Sequence, residues 1–285
     1  MWLIFGGSGF LGSVICRFLT ERGIAYVAPT STQCDLRDTE GVSRWVDKVA
    51  PEVIVNCVAM TNVDFCETHP ELARELNTVA PARLATLSRG RKAFFLHFST
   101  DYVFSGTKLS PYIESDLTDP INVYGWSKRM AEEAIQAAYQ DKSLIIRTAW
   151  LFSEERRGFF VYLSELSAQS PGEVTFPRQV GSPTYLNDLA ETTLKLVEDR
   201  RAGIFHVVNS GGTTWKEMAE FFFTCYPGGK FKVSEKTEDN RPARRPKYSV
   251  LATDKLKEKA GIVMRPWQEA AKECIERMNE KRGEL

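Results

Sequence analysis

Tyr124 and Lys128 are the first residues of this 285-residue chain whose types and spacing suggest chemistry. They lie four positions apart, so a helix would place both side chains on one face. A nearby ammonium group favours tyrosinate and lowers the pKa of a phenol from its reference value of about 10. Such a phenol can donate a proton to a carbonyl oxygen while the carbonyl carbon receives a hydride. Tyr226 and Lys230 repeat the spacing, but the Pro-Gly-Gly between them cannot form a helix.

Hydroxyl groups follow directly on the strand predicted over residues 93–99. Ser99, Thr100 and Asp101 lie where this strand ends, and doubly wound sheets bind ligands at that carboxyl edge. A hydroxyl group there can hydrogen-bond a substrate carbonyl and hold it in register with Tyr124. The alternative interpretation of Ser99 and Thr100 is a loop cap, but the Tyr–Lys helix and a glycine-rich turn favour the functional one.

The glycine-rich turn is Gly6-Gly7-Ser8-Gly9-Phe10-Leu11-Gly12, between the first predicted strand and the first helix. Glycines permit a tight turn there and let backbone N–H groups approach a pyrophosphate at the positive end of the helix. Glycine-rich turns also occur at ordinary strand–helix junctions. The position at the first such junction predicts dinucleotide binding.

The end of the second predicted strand bears on the choice of cofactor. The acid expected about 20 residues after the turn, which would bind the ribose of NAD, is missing from Ala28-Pro29-Thr30-Ser31-Thr32. Its absence favours NADPH over NADH. Arg17 or the segment 30–32 is a candidate contact for the 2′-phosphate of NADPH. Arg17 could equally well be a solvent-exposed residue of the first helix. Asp35 and Leu36 are placed to touch the adenine.

The pattern of apolar runs predicts how these residues are positioned. Strands are predicted over 2–5, 25–28, 53–59, 93–99 and 143–148, and helices over 12–22, 40–49, 72–89 and 124–139. This alternation is typical of an α/β fold with a Rossmann-type doubly wound parallel sheet. A helix predicted over 186–198 and a strand predicted over 203–209 are expected to extend the same doubly wound sheet. We therefore expect an NADPH-binding domain from 1–150 plus about 181–210, and a smaller C-terminal α/β substrate domain from about 151–180 and 211–285.

The composition excludes several classes of protein. Lys and Arg number 37 and Asp and Glu number 37, and a zero net charge argues against nucleic-acid and membrane-surface partners. No apolar run approaches the roughly 18 residues of a membrane span, and the first residues lack the basic start of a secretory signal. The six cysteines and three histidines show no metal-ligand spacing. We expect reduced thiols, no metal and a cytoplasmic location.

The glycine turn, the segment 99–104 and the pair Tyr124 and Lys128, in this order, resemble the extended short-chain dehydrogenase/reductase family. Val55-Asn56-Cys57-Val58-Ala59 also lies where that family has a segment lining the cofactor. The matches extend from Gly6 to about Trp267, nearly the whole chain. Within the family, the dTDP-4-dehydrorhamnose reductases resemble the chain at Ser99-Thr100-Asp101-Tyr102-Val103-Phe104, Asn122-Val123-Tyr124-Gly125 with Lys128, Arg147-Thr148-Ala149-Trp150, Gln179-Val180-Gly181-Ser182-Pro183-Thr184, Gly212-Thr213-Thr214-Trp215 and Arg241-Pro242-Ala243-Arg244-Arg245-Pro246.

The resemblance implies an enzyme that uses NADPH to reduce the C4 ketone of dTDP-4-dehydro-L-rhamnose to dTDP-L-rhamnose. The catalytic set would be Thr100, Tyr124 and Lys128, with Tyr124 as the proton donor. The resemblance and the motifs described above together give the expected cofactor-binding residues. These are Gly6, Gly9, Phe10, Leu11, Gly12, Arg17, Asp35, Leu36, Cys57, Ala59, Tyr124 and Lys128. The expected substrate-binding residues are Thr100, Asp101, Tyr102, Trp150, Thr184, Arg241 and Arg245, with Arg244 beside them. The charge of the arginines independently suits a diphosphate, a solvated basic loop being the alternative.

Two positions depart from the family pattern. Some members join two subunits through a metal bound by acidic side chains, and this chain has Val14 and Asn187 at the corresponding places. We therefore expect a monomer or a weak homodimer. Pro29 replaces an acid present in relatives that accept either cofactor, which weakens the case for NADH.

Other functions stay open on the sequence alone. A 4-keto sugar-nucleotide reductase of different stereochemistry, or one using another nucleotide, would carry the same Thr–Tyr–Lys set. The regulatory subunit of methionine adenosyltransferase shares the fold and many motifs, and it acts as a non-catalytic NADP-binding partner. A plain NADPH-binding sensor is a further option. The intact Thr100, Tyr124 and Lys128 favour catalysis, whereas binding without turnover would favour regulation.

Overall fold

A computed structural model describes residues 1–155, 158–168, 172–228, 231–237 and 240–283. The strands in chain order are β1 (Trp2–Phe5), β2 (Tyr26–Val27), β3 (Val53–Asn56), β4 (Phe94–Thr100), β5 (Ser143–Thr148), β6 (Leu151–Phe152), β7 (Glu173–Pro177), β8 (Val180–Gly181), β9 (Thr184–Tyr185), β10 (Gly203–His206), β11 (Thr213–Thr214) and β12 (Lys232–Lys236). The helices are α1 (Phe10–Glu21), α2 (Thr39–Val49), α3 (Val63–Thr68), α4 (Pro70–Arg74), α5 (Ala80–Arg91), α6 (Val123–Tyr139), α7 (Phe159–Ser167), α8 (Leu186–Glu198), α9 (Trp215–Cys225), α10 (Asp254–Ala260) and α11 (Trp267–Gly283). A π-helical turn spans Glu75–Val79, and 3-10 turns span Asp101–Val103 and Gln140–Lys142.

Six strands form one parallel sheet in the order β10-β5-β4-β3-β1-β2. From β1 the chain proceeds outward to β2 and then crosses back to β3 on the other side of β1. This reversal leaves a crevice at the carboxyl ends of β1 and β3, where open sheets of this kind bind ligands. The topology confirms the predicted Rossmann-type doubly wound fold.

The sheet lies between two apolar layers. Every residue of β4 is buried, and before the terminal Ser99 and Thr100 only His97 interrupts its run of apolar residues. Helices α1 and α8 cover one face of the sheet, and α2, α5 and α6 cover the other. Both faces of β4 are therefore shielded from water. The polar residues of the predicted site begin at its carboxyl end.

The predicted helix over 72–89 differs from the structure. The segment contains α4, a π-helical turn and α5, with Pro81 in the first turn of α5. Because proline has no N–H, Pro81 cannot continue the regular hydrogen-bond ladder, and the ladder widens to the π pattern just before it. The predicted strand over 53–59 ends at Asn56, whose side chain accepts a hydrogen bond from Val58 N and turns the chain. Lys230 lies outside the described residues.

A second apolar core lies apart from the sheet and joins distant parts of the chain. Phe152 and Phe160 pack there with Phe222, Trp267 and Cys274. Three short strand pairs, β6 with β9, β7 with β12 and β8 with β11, lie in this half. The proposed separation of cofactor-binding and substrate-binding domains stays a prediction. Within the described ranges, no helix has the length and apolar character needed to cross a membrane.

Candidate active site

The end of β4 and the first turns of α6 bring Thr100 and Tyr124 together. The side chain of Thr100 hydrogen-bonds the Tyr124 hydroxyl, and its Oγ1 also donates to Asp101 Oδ1 at 3.0 Å. The ring of Tyr102 meets that of Tyr124 edge-on, with centroids 6.0 Å apart. Burial raises the pKa of Tyr124, and the hydrogen bond between Tyr124 and Thr100 opposes this only in part. The phenol is therefore held in its protonated form.

Lys128 contacts β4 instead of Tyr124. Its Nζ lies 2.6 Å from the Phe98 carbonyl oxygen and 3.0 Å from His97 Nε2, and the side chain is 1 % exposed. The prediction that Lys128 lowers the pKa of Tyr124 is wrong in this arrangement, because burial is the dominant influence and raises that pKa. Burial also lowers the pKa of Lys128 to about 7. The structure thus brings Thr100 and Tyr124 together, whereas Lys128 bonds to His97 and Phe98 of β4.

Glu132, one further turn along α6, contacts the same strand. It accepts a hydrogen bond of 2.5 Å from the Ser99 hydroxyl, and Arg147 binds both carboxylate oxygens at 2.9 and 2.6 Å. The side chains of Glu132 and Arg147 are 4 % and 3 % exposed. Tyr124, Lys128 and Glu132 therefore form one stripe on α6 at four-residue spacing, each bonded to the end of β4. Sequence reasoning missed Glu132, although this spacing was the available signal.

The amino end of α6 is held against neighbouring loops. Asn122 accepts a hydrogen bond of 2.7 Å from Gly125 N, and its Nδ2 donates to the Arg244 carbonyl oxygen at 2.7 Å. A Cβ on Gly125 would lie 2.1 Å from the Tyr102 carbonyl oxygen. Only glycine allows this approach, so the helix that carries Tyr124 is positioned by backbone contact on two sides.

The predicted arginine run lines a cationic cavity beside Tyr102. The cavity measures about 480 Å³, and its positively charged lining residues are Arg178, Arg241, Arg244, Arg245 and Lys247. None of its described lining residues is acidic. Gln179, also in the lining, hydrogen-bonds the Tyr102 side chain, which connects the cavity to the Thr100–Tyr124 pair. Guanidinium groups in such an arrangement suit a diphosphate.

Helix α3 supplies a counterion to Arg245. Asp64 binds its guanidinium through two bonds of 2.7 Å and also accepts a hydrogen bond from Ala243 N. The same ion pair lowers the pKa of Asp64 to about 2. Arg245 therefore anchors the loop against α3.

Trp150 has a strained backbone and a well-defined ring position. Its φ of 43° lies in the left-handed region, which bulky side chains rarely adopt. The ring stacks on Trp215 with centroids 3.7 Å apart, and a Cβ on Gly181 would come within 2.5 Å of it. Trp215 also donates to Gln179 Oε1 at 3.3 Å, so the stacked pair borders the cationic cavity.

Thr184 does not contribute to the cavity as the sequence predicted. It is fully buried in β9, its N–H donates to the Trp150 carbonyl oxygen at 3.1 Å, and its hydroxyl faces the Ser182 carbonyl oxygen at 3.4 Å. Thr184 therefore supports the backbone of Trp150 from behind, and its predicted diphosphate contact stays a prediction.

The glycine turn has the geometry of an anion site. Gly6 has a φ of 82° and its carbonyl oxygen accepts a hydrogen bond from Gly9 N at 2.9 Å. A Cβ on Gly12 would lie 2.1 Å from the same oxygen. Helix α1 begins at Phe10 without a side-chain cap and without an acid in its first turn, so its N–H groups are open to a ligand. These residues fit a dinucleotide pyrophosphate.

The remaining predicted cofactor residues surround this turn and the end of β2. Cys57 faces Gly6, whose added Cβ would lie 3.0 Å from the Cys57 carbonyl carbon, and Ala59 follows two residues later. Leu11 and Leu36 are buried in the apolar core, so only their backbone groups are available. The Asp35 carboxylate is bound by Arg37 at 2.6 Å. These contacts leave the predicted roles of these five residues untested.

Arg17 belongs to a different cavity from the end of β2. Its guanidinium donates to Asn187 Oδ1 at 2.6 Å and pairs with Glu21 and Glu155 at 3.0 and 3.4 Å. The cations beside Ser31 and Thr32, in a cavity of about 440 Å³, are instead Arg44 and Lys48 of α2. The contact of Arg17 with a 2′-phosphate therefore stays a prediction. The helix periodicity of α2 could have signalled that these cations share a face.

Comparisons with known proteins agree with this geometry. A sequence profile described as the RmlD substrate binding domain matches residues 1–280. The dTDP-4-dehydrorhamnose reductase of Streptomyces griseus is 36% identical over 281 residues, covering 96% of this chain and 92% of that protein.

Two solved structures are also similar over nearly the whole chain. A crystal structure of a dTDP-4-dehydrorhamnose reductase from Clostridium acetobutylicum has a TM-score of 0.93 and 33% identity, covering 98% of this chain and 99% of that one. The dTDP-4-dehydrorhamnose reductase of Bacillus anthracis, solved in complex with NADP, has a TM-score of 0.91 and 28% identity, covering 96% and 97%.

Proposed function

The chain belongs to the RmlD substrate-binding-domain family, and we propose on that basis that it uses NADPH to reduce the C4 ketone of dTDP-4-dehydro-L-rhamnose to dTDP-L-rhamnose. It is an oxidoreductase of the dTDP-4-dehydrorhamnose reductase type. The observation that carries the proposal is the hydrogen-bonded Thr100–Tyr124 pair beside a cationic cavity. This arrangement supports Tyr124 as the proton donor and the cationic cavity as the diphosphate site for one sugar nucleotide.

In the proposed reaction, Thr100 and Tyr124 bind the ketone oxygen. NADPH, when bound, supplies the hydride that the carbonyl carbon receives. Tyr124 gives its phenolic proton to the oxygen, so the ketone becomes an alcohol, and the tyrosinate recovers a proton from solvent. Burial keeps the pKa of Tyr124 high, so the phenol carries its proton when the substrate arrives.

The cationic cavity would bind the diphosphate, with Arg241 and Arg244 supplying charge and Arg245 fixed by Asp64. Trp150 would border the sugar, held in place by its stack on Trp215. These contacts position the C4 ketone and exclude water from it. Binding energy from the remote diphosphate then serves to orient the reacting carbon.

The preference for NADPH is part of the proposal. Pro29 and the hydroxyl residues after it carry no negative charge that would repel a 2′-phosphate, and Arg44 and Lys48 lie beside Thr32. Kinetic comparison of NADPH with NADH checks this directly. A clear preference for NADH would contradict it.

The central test mixes the protein with NADPH and dTDP-4-dehydro-L-rhamnose. The loss of the nicotinamide absorbance is followed, and the product is identified by NMR. We expect turnover in the wild type and in Tyr139→Phe, which removes a hydroxyl at the far end of the same helix. Turnover should collapse in Tyr124→Phe. Tight NADPH binding without oxidation by the wild type would overturn the proposal and favour the regulatory interpretation.

A further inference from the structure

Lys128 is one of the largest fully buried side chains, and both of its polar contacts lie on β4. Its Nζ is 2.6 Å from the Phe98 carbonyl oxygen, which only accepts, so one Lys128 N–H points there. The second contact, 3.0 Å to His97 Nε2, has two possible directions. The direction depends on which ring nitrogen of His97 carries the proton.

Asn56 on the neighbouring strand β3 determines that tautomer. Val58 N donates to Asn56 Oδ1 at 3.0 Å, and because a backbone N–H only donates, the amide oxygen must face Val58. The NH2 group is then turned to His97, with Nδ2 3.1 Å from Nδ1. An NH2 group also only donates, so Nδ1 is an acceptor and the proton of a neutral imidazole lies on Nε2.

A proton on Nε2 makes His97 the donor to Lys128, whose Nζ must then offer a lone pair. We infer that Asn56 and His97 are positioning residues that favour the neutral amine form of Lys128, so that this lysine exchanges a proton instead of remaining a fixed cation. His97 and Asn56 are 0 % and 1 % exposed, so water does not compete for these bonds.

The charges around Lys128 agree with this inference. Burial lowers its pKa to about 7, and Glu132, one turn along α6, is the group that opposes the shift. Arg147 of β5 neutralises Glu132 through its two-pronged ion pair. Burial keeps the pKa of His97 well below its usual range, so the imidazole is neutral. Tyr124, one turn before Lys128, is a protonated phenol.

The ammonium form requires a rearrangement of the same chain of groups. Lys128 gains one proton from solvent and donates to Nε2, and the imidazole proton changes from Nε2 to Nδ1. Nδ1–H then faces the NH2 group of Asn56, or the amide turns and its NH2 group faces Val58 N. Either way two buried donors oppose each other, which is unfavourable.

The first test reads the tautomer directly in the full-length protein. Only three histidines are present, so 15N NMR of histidine-labelled protein resolves each ring, and His97→Gln assigns the resonances. From about pH 9 to about pH 5, we expect His97 to change from the Nε2–H to the Nδ1–H tautomer. Lys128→Met should abolish the change. An Nδ1–H tautomer at every pH would overturn the inference.

The second test reverses the role of Asn56. In Asn56→Asp the carboxylate accepts from Nδ1–H, which frees Nε2 as an acceptor for an ammonium group. We expect the midpoint of the tautomer change to rise by about one pH unit or more. Asn62→Asp adds the same charge at an exposed helix cap and should leave the midpoint unchanged. An unchanged midpoint in Asn56→Asp would contradict the inference.

The catalytic consequence rests on the proposed function. If the protein is the proposed reductase, the pH profile of kcat/KM should shift in Asn56→Asp by the same amount as the tautomer midpoint. The two proposals fail separately. The expected tautomer change without turnover in the wild type would overturn the function alone, and turnover with a fixed Nδ1–H tautomer would overturn the inference alone.

Discussion

Asp64 and Arg245 are joined by two hydrogen bonds of 2.7 Å across 181 positions of the chain. The Arg245 side chain is 6 % exposed and that of Asp64 is 32 % exposed, so the pair is partly shielded from water. Asp64 also accepts a hydrogen bond from Ala243 N. One carboxylate on α3 therefore fixes both the backbone and a side chain of the loop that lines the cationic cavity.

Loss of the Asp64 carboxylate should weaken binding of the sugar nucleotide. In Asp64→Asn we expect KM for this substrate to rise about tenfold, equivalent to about 1.4 kcal/mol, with a smaller change in kcat. The reason is that the arginine loop loses its anchor while Thr100 and Tyr124 are untouched. Steady-state kinetics measures this, and Asp47→Asn, on an exposed surface pair with Arg91, is the matched control. An unchanged KM would show that the loop needs no anchor.

The same pair should make stability depend on acid pH. Arg245 lowers the folded-state pKa of Asp64 to about 2, below the unfolded value of about 3.9. The pair's contribution is therefore fully present above about pH 4 and is lost as the pH falls towards about 2. Thermal unfolding across that window should lose less Tm in Asp64→Asn than in the wild type. Equal losses in both proteins would contradict this assignment.

Glu132→Gln should be strongly destabilising. The change leaves Arg147 as a buried cation without its counterion, which costs roughly 3–5 kcal/mol. Urea unfolding measures the free energy. Glu133→Gln breaks the exposed pair with Arg129 next door, where about 0.5 kcal/mol or less is expected. Similar costs at both positions would mean that the buried pair contributes little.

The hydroxyl of Thr100 should matter more than its methyl group. Thr100→Val keeps the shape but removes the hydrogen bond to Tyr124, and we expect kcat to fall about 10²- to 10³-fold. Thr100→Ser keeps the hydroxyl and should fall much less. The comparison uses the NADPH oxidation assay with circular dichroism to verify folding. Equal rates in the two variants would exclude a role for the hydroxyl.

Two helix glycines should respond to alanine in opposite ways. Gly125→Ala pushes a Cβ into the Tyr102 carbonyl oxygen, so α6 must move and Tyr124 with it, and both stability and turnover should fall. Gly90 lies exposed near the end of α5, where a Cβ would meet nothing within 4 Å. Gly90→Ala should therefore raise the free energy of unfolding by about 0.5–1 kcal/mol. A neutral Gly125→Ala would show that the backbone contact is loose.

The sequence predicted the parallel sheet and the juxtaposition of Thr100 and Tyr124, because strand periodicity and motif position depend on local residues. It could not predict that Lys128 bonds to His97 and Phe98. That contact depends on how α6 packs on β4. The burial of Thr184 behind Trp150 was equally unpredictable, since it depends on the pairing of β6 with β9.

Long-range partners explain the remaining differences. Arg17 is a candidate 2′-phosphate contact on the sequence, and the sequence gives no sign of its partner Asn187, 170 positions away. The counterion of Arg245 is just as remote in sequence. Spacing rules carry information over a turn or two of helix, whereas such pairs are set by the tertiary fold.

The position of β10 at the edge of the sheet has a consequence for synthesis on the ribosome. Strand β5 is complete at Thr148, but its outer neighbour β10 begins only at Gly203, and the arginine run emerges later still. Until then the nascent chain carries an apolar strand with unpaired backbone groups on one side, a template for wrong pairing with other chains. The nascent chain is therefore prone to aggregation after β5 has been synthesised and before β10 has. Thr100, Tyr124 and Lys128 are already part of the chain at that stage.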